Sequence, residues 1–531
     1  MRISNLYIFM LLFLAAGCSG DTPDFPGEDD DYPTSQLYLR LELTVATGGS
    51  TRSNPTGGEN GDGRELGLER EDRVRDLNIY LYNYDDGSGI NCDVPSAIDV
   101  KKHLYIPSVT AMSVKVPLSG YTPVENDRII IIANAGESVE ADNLGDLRDK
   151  VCNNPWSGSI VKETTGFTMG TARLDDKNGK IDVSRSGTFE DPYKSEVTIE
   201  RTAARIDFWF KNENIPASGD VSELVYDVKG TDGNPTGSKV WIQHITPVNS
   251  MQNPSYIFKH VTEGFSTDKI LVCANETPNP TGKPTNYVIT PTTLSLLTTA
   301  SESLLYGLTR AEYIRANAEE IFNEGNSVAS IFKNGEQIDY SESGKDFNRY
   351  VILAYTNENT QIGKAFTSKY TTGLVFKAIY QPGKVYSGYK PATEEEEEVL
   401  TEDNSDYSAG KDFWSLTIVG QTMEERQNLY FSNEEVAESY KGAHPELNCM
   451  ITKFEGGVCY YNLWLKHANE DSDPHEGFPM EYAIVRNNIY RVGVTFSGPG
   501  DPTPELREPN HIKSYIFVRK WNFRLQPEIN V

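Results

Sequence analysis

The sequence predicts an all-β protein with a minor share of helix, built as β-sandwiches. Three observations carry this expectation. Short apolar runs recur along the chain and are broken by Gly, Pro, Asn and Asp, the punctuation of strands joined by turns. Tyr is abundant, at 29 residues, and Val, Ile and Thr fall inside the runs, as strands prefer. Helical periodicity is confined to two patches, 144–152 and 309–322. A chain of 531 residues is long enough for roughly two to four domains.

The elements follow in order. Arg2 opens a positively charged start, Ile8 to Ala16 is an apolar stretch, and Leu14-Ala15-Ala16-Gly17-Cys18 ends it. This reads as a secretory signal over 1–17, too short to span a membrane. The small residues before Cys18 resemble the bacterial lipobox, so cleavage is expected to leave Cys18 as a lipidated first residue. An ordinary signal peptide followed by a chance Cys is the plainer alternative. Acyl chains, at ~0.8 kcal/mol per buried CH2, would anchor the precursor firmly. Residues 18–36 form a tether, with Asp21, Asp24 and Glu28 to Asp31 making it acidic. The tether resembles the acidic tags that send lipoproteins to the cell surface in Bacteroidota; a solvated spacer reads equally well.

Next comes Leu37-Tyr38-Leu39-Arg40-Leu41-Glu42-Leu43-Thr44-Val45. Its strict alternation marks a half-buried strand, with Leu37, Leu39, Leu41, Leu43 and Val45 on one face. Thr47 to Ser53 follows as a Gly- and Ser-rich, cleavable stretch containing Arg52 and Ser53. Strand-like runs continue at 74–84, 128–134, 197–210, 238–245, 270–274, 349–355, 372–380, 458–465 and 488–496. The IIII core of 128–134 predicts a strand buried on both faces. Asn178-Gly179 predicts a hairpin, and so does Gly456-Gly457, which would set Cys459 opposite Phe454. A domain boundary is expected near 190–192, and 278–284 and 381–405 read as loops. The five glutamates 394–398 read as a solvated surface rather than a cation site. At the end, Ile512, Ser514, Ile516 and Val518 form one face of a last strand, with Tyr515 and Phe517 on the other and Trp521 beyond.

Composition removes several functions. The net charge of −28 argues against nucleic acid, whose phosphates need a basic face. With Cys18 set aside, the five remaining cysteines are an odd number, so at least one thiol is left out of intramolecular pairing. A bridge between Cys449 and Cys459 stays open as an alternative. The sequence contains no H-E-x-x-H, phosphate loop, G-x-S-x-G or local Cys/His signature, so no enzyme chemistry, cofactor or catalytic residue is expected. His467 and His475 flank an acidic loop and read as solvated rather than metal-binding.

Several of these segments together resemble the Bacteroidales type V pilins, the fimbrillins, and within them the structural subunits of short fimbriae. The residues that carry the resemblance are the lipobox at Cys18, VRDLNIYLY from Val74, IERTAARIDF from Ile199, VCYYNLWL from Val458, VRNNIYR from Val485 and the Trp-bearing end FVRKWNF from Phe517. The resemblance implies two transthyretin-like β-sandwich domains, 53–192 and 193–510, with a removable first strand and cleavage loop at 37–52 and a donor strand at 511–531. It implies export to the outer membrane as a lipidated precursor and an arginine-specific surface protease that cuts at Arg52-Ser53, with Arg64 as a rival position. The vacated groove would take Ile512, Ser514, Ile516, Val518 and Trp521 of the next copy. The partners implied are the chain itself as a homopolymer, anchor and tip accessory subunits, and host or bacterial surface receptors in adhesion. The linker 497–510 is shorter and less Pro-rich than the family pattern, which leaves open which terminal segment inserts.

The residues give this scheme its energetics. Burying five apolar side chains of the first strand is worth on the order of 10 kcal/mol gross. Removing such a strand leaves open edges that template strand addition. Other readings remain. The first strand could belong to a stable monomeric surface lipoprotein that binds glycans, the chain could be a tip or accessory adhesin, or a carboxylate pair could hydrolyse surface glycans.

Overall fold

The computed structural model describes residues 36–45, 64–83, 98–172, 178–217, 219, 221–230, 232–251, 254–263, 286–291, 322–340, 347–359, 371–408, 410–418, 428–467, 482–504 and 512–522. It is an all-β protein with short helices.

The first part of the chain contains β1 (Tyr38–Val45), β2 (Arg64–Leu66), a single helical turn α1 (Glu69–Asp72), β3 (Leu77–Asn83), β4 (Val100–Ile106), β5 (Ser113–Pro117), β6 (Asp127–Ala133), α2 (Leu144–Arg148), β7 (Val151–Cys152), β8 (Met169–Thr171), β9 (Ile181–Asp182) and β10 (Tyr193–Arg201). Eight of these strands make one sheet in the order β4-β3-β6-β8-β10-β1-β5, with β9 on β10. The two ends of the sheet share one core: Leu39, Leu41, Val116 and Val197 pack with Leu77, Ile79, Ile129 and Ile131. The sheet therefore folds over itself into two layers. The isoleucine run of β6 is buried on both sides, as its composition predicts. Ile129 and Ile131 face that core, while Ile130 and Ile132 join Tyr80 and Tyr82 beneath Leu144 and Leu147 of α2.

The chain changes sheet at Thr202, where β10 stops and β11 (Ala203–Phe210) begins. The run 197–210, which reads in the sequence as one long strand or a strand with a bulge, is two strands in different sheets. The second part continues with β12 (Leu224–Lys229), β13 (Pro235–Val248), β14 (Ser255–Tyr256), β15 (His260–Glu263), β16 (Asn286–Ile289), β17 (Gln337–Asp339), β18 (Arg349–Asn357), β19 (Gly373–Gln381), β20 (Val385–Lys390), β21 (Val399–Asp403), β22 (Phe413–Ile418), β23 (Asn428–Phe431), β24 (Cys449–Phe454), β25 (Val458–Trp464), β26 (Asn488–Phe496) and β27 (Ile512–Asn522).

Strand β26 pairs with β11 on one side and β27 on the other. It reaches β12 only at Phe496, opposite Val228. The second sheet therefore splits into two layers, β17-β18-β11-β26-β27-β2 and β12-β13-β19-β25. Between them lies the second core, with Ile206 and Phe208 of β11, Val492 and Val494 of β26, Ile242 of β13, Phe376 of β19 and Tyr461 of β25. Between β19 and β25 the chain inserts a five-stranded sheet, β21-β20-β23-β22-β24. The helix Glu434–Ala443, capped by Asn433, joins that sheet's own apolar cluster through Ala437.

Four expectations from sequence are corrected. Asn178-Gly179 makes a turn with Gly179 at φ 73°, yet β8 and β9 do not pair with each other; both add to β10. Gly456-Gly457 also turns tightly, at φ 56° and 68°, but it hands the chain from β24, paired to β22, to β25, paired to β19. Cys459 therefore lies opposite Ala378, not Phe454, and Cys449 and Cys459 are free thiols. The stretch 381–405 contains β20 and β21 rather than being a loop. The helical patch 144–152 shortens to Leu144–Arg148, because Val151 and Cys152 form β7. The runs at 270–274 and 278–284 and helical residues 309–321 lie outside the described residues.

Candidate assembly site

Strand β1 is an internal strand. It runs parallel to β10, from Leu39 opposite Tyr193 to Val45 opposite Ile199. On its other side it runs antiparallel to β5, from Tyr38 opposite Pro117 to Glu42 opposite Ser113. Its ends are fixed by backbone bonds from Leu118 N to the Leu37 carbonyl and from Leu43 N to the Met112 carbonyl, both 2.8 Å. Leu39 and Leu41 are fully buried, Leu43 is 2% exposed, and Leu37 packs on the same core from its edge. The alternate side chains form a polar outer face. Arg40 Nε donates to Ser113 Oγ at 3.2 Å, Lys194 pairs with Glu42 at 3.1 Å, and the Thr44 and Thr198 hydroxyls meet at 2.9 Å. Taking β1 away would bare one edge each of β5 and β10 and unroof an apolar trench.

Strand β27 is seated on its own sandwich, antiparallel to β26 from Asn488 opposite Lys520 to Phe496 opposite Ile512. Val518 is buried, Ile512 and Ile516 lie against the second core of the same chain, and Ser514 is exposed. On the opposite face Phe517 meets Trp209 edge-on, with ring centroids 5.2 Å apart. Trp521 stands in register with Glu65 of β2. Cys18, Arg52 and Ser53 lie outside the described residues.

Between the sandwiches sits a cluster of buried charge that sequence reading did not assemble. Arg201 is fully buried and pairs with Asp72, and it donates to Asn487 Oδ1 at 3.0 Å. Arg205 binds Asp207 at 2.9 Å, Glu71 at 3.1 Å and Glu65 at 3.2 Å. Arg491 binds Asp207 at 2.9 Å and Glu65 at 2.8 Å, and its guanidinium lies 3.7 Å from the Tyr350 ring centre. Tyr350 OH donates to Glu65 at 2.7 Å, and Tyr355 OH donates to Glu71 at 2.5 Å. Burial pushes the Glu65 carboxyl up, but Arg491 and Arg205 outweigh it and hold it at about 2.

A neighbouring set ties Arg486 to Glu358 at 2.6 Å and to the carbonyls of Tyr256 and Ile257. There, Lys259 pairs with Glu200 at 3.0 Å. The arginines were visible as charges inside apolar strand runs, which demand counter-charges. Their partners Glu65, Glu71 and Asp72 come from β2 and α1, among 77 carboxylates, and no local signal singles them out.

His467 is buried, with Nδ1 2.8 Å from Tyr490 OH, a structural role rather than the solvated one expected; His475 lies outside the described residues. Among the described residues no group of three His, Cys, Asp or Glu is placed to hold a metal, and no helix is long and apolar enough to cross a membrane. The glutamates 394–398 are exposed, as expected.

Strands β25, β26 and β27 coincide with a family signature. Residues 452–525 match the family model described as major fimbrial subunit protein type IV, fimbrillin, C-terminal. Over these residues the chain is similar to the C-terminal region of the fimbrillins, the family that the sequence resemblance names. No curated protein matches it. Among solved structures, the chain is similar to the fimbrilin of Porphyromonas gingivalis at 11% identity, with a TM-score of 0.34, covering 92% of this chain and 98% of that one. It is similar to the tip fimbrial protein Mfa3 of the same organism at 10% identity and a TM-score of 0.33, covering 92% and 100%. A candidate cell adhesion protein from Bacteroides eggerthii matches at 12% and 0.36, covering 93% and 98%.

Proposed function

We infer that the chain is a structural subunit of a cell-surface fimbria that serves adhesion and has no enzymatic role. The family segment at 452–525 supports the subunit reading. The finer scheme is as follows. The chain is exported as a lipoprotein anchored through Cys18, a protease cuts after Arg52, β1 leaves, and the C-terminal strand of a neighbouring copy fills its place. The observation that carries the scheme is β1 itself. It is paired on both edges, presents a leucine face to the core, and is joined to the rest of the chain through a Gly- and Ser-rich segment containing Arg52. Burial of Leu39, Leu41 and Leu43 is worth about 5–9 kcal/mol gross, so an empty groove is a strong acceptor for a strand of like pattern. The face of Ile512, Ile516 and Val518 supplies that pattern.

A second reading, a monomeric surface lipoprotein that binds glycans, draws on the home seat of β27, which pairs with β26 of its own chain. N-terminal sequencing of the protein sheared from its host cells separates the two. A start at Ser53 in a high-mass polymer supports the fimbrial subunit. A lipidated start at Cys18 in a monomer supports the binding lipoprotein and overturns the scheme. Arg52→Ala is expected to accumulate lipidated precursor and form no fibres.

A further inference from the structure

Strand β27 is held differently along its two edges. One edge pairs with β26 over its whole length. On the other edge it is met only by β2, among the described residues, and only at its far end: Arg64 opposite Lys520, Glu65 opposite Trp521 and Leu66 opposite Asn522. An edge strand detaches by peeling inward from one of its ends, where the fewest bonds break first. The contact with β2 lies at one such end, 520–522, and closes the second edge of β27 there.

Strand β2 is itself fixed. Glu65 receives Arg491, Arg205 and the Tyr350 hydroxyl, and its side chain is only 13% exposed. Four residues on, the α1 turn is closed by the Leu68 amide donating to Glu71 at 2.7 Å. Glu71 and Asp72 then enter the same buried cluster through Arg205 and Arg201. A three-residue strand alone could not hold a neighbour, but one anchored by buried, charge-assisted bonds can. Breaking such an anchor leaves uncompensated buried charge, which is the costly event.

We propose that β2, anchored by Glu65, is a clamp that retains the C-terminal strand in its own subunit, so that β27 becomes free to enter another copy only when β2 lifts. This rests on the donor role of β27 argued above. It gives the segment immediately behind the cleavable loop a task of its own: it stays with the second sandwich when β1 leaves the first, and it sets how readily the donor strand is offered. An uncut chain with β2 seated holds both its grooves filled.

Hydrogen exchange on the full uncut chain tests the clamp, with Glu65→Gln removing the anchoring charge. Leu66→Pro is the second variant. It interrupts the short ladder at a residue that is 51% exposed, so the core is not disturbed. Amides of 512–522 are expected to exchange at least tenfold faster in both variants, while β1 and β10 keep the protection of the parent. Unchanged exchange of 512–522 in the folded variants overturns the clamp. If Glu65→Gln also loses protection in β10, it has not folded natively and Leu66→Pro decides. Cutting each variant at Arg52 then separates the two ideas. Faster exchange with faster polymer growth supports both. Faster exchange with no polymer leaves the clamp standing and removes the donor role of β27.

Discussion

Glu65 Oε1 lies 2.8 Å from Arg491 Nη2, joining β2 to β26, the strand that seats β27. β1 is built into the first sheet, while β2 is fixed by charge to β11 and β26 of the second; α1 bridges the two, with Glu71 on Arg205 of β11 and Asp72 on Arg201 of β10. Cutting between β1 and β2 would release one without dislodging the other.

The charge cluster makes a stability prediction. Arg205→Ala leaves Asp207, Glu71 and Glu65 short of a buried partner, and removing one member of a buried pair costs about 3–5 kcal/mol. Urea unfolding should show a lower midpoint with an unchanged slope. A loss below 1 kcal/mol would mean that water reaches the cluster.

The β1 leucines should matter in one state only. Leu41→Ala, at a fully buried site, is expected to cost about 2–5 kcal/mol in the uncut chain. In polymer formed after the cut the same substitution should have no effect, because residue 41 has been discarded. Thermal unfolding of precursor and polymer side by side checks this.

Acid should loosen the fold in two stages. Burial holds the His260 imidazole, and with it His244, at about 4 rather than 6.5. The fold prefers both neutral, so their contribution is full above pH ~6.5 and declines as pH falls toward 4. Glu65, held at about 2 rather than 4.5, prefers its charged form. Its contribution is intact above pH ~4.5 and is lost as pH falls toward 2. Melting temperature measured from pH 7 to 3 should fall across both windows, and Glu65→Gln should flatten the lower one.

The strands were legible wherever one physical rule acted alone. The alternation of 37–45 gave β1 and its buried face, and the uninterrupted isoleucines of β6 gave a strand covered on both sides. The 488–496 run matches β26 residue for residue. Turns were read correctly as turns at Gly179 and Gly456, but their partners were not. A tight turn fixes the local reversal, whereas the sheet that receives the next strand is chosen by distant packing. Arg201, Arg205 and Arg491 lie inside apolar runs; Asp207, two residues from Arg205, neutralises two of them, but the other carboxylates, Glu65, Glu71 and Asp72, come from 65–72, a stretch with no period of its own. Ion pairs across such separations leave no mark in a single sequence.

The most direct test is a cross-link between copies. A Cys at Thr198, on the polar side of the β1 seat where it now meets Thr44, is combined in the same chain with single Cys substitutions at Lys513, Tyr515 or Phe517. After cutting at Arg52 and polymerisation under mild oxidation, peptide mapping identifies the joined residues. The expected product is a disulfide between position 198 of one subunit and one of the C-terminal positions of the next, absent from uncut monomer. Polymers whose position 198 never joins the C-terminal strand of another copy would contradict it.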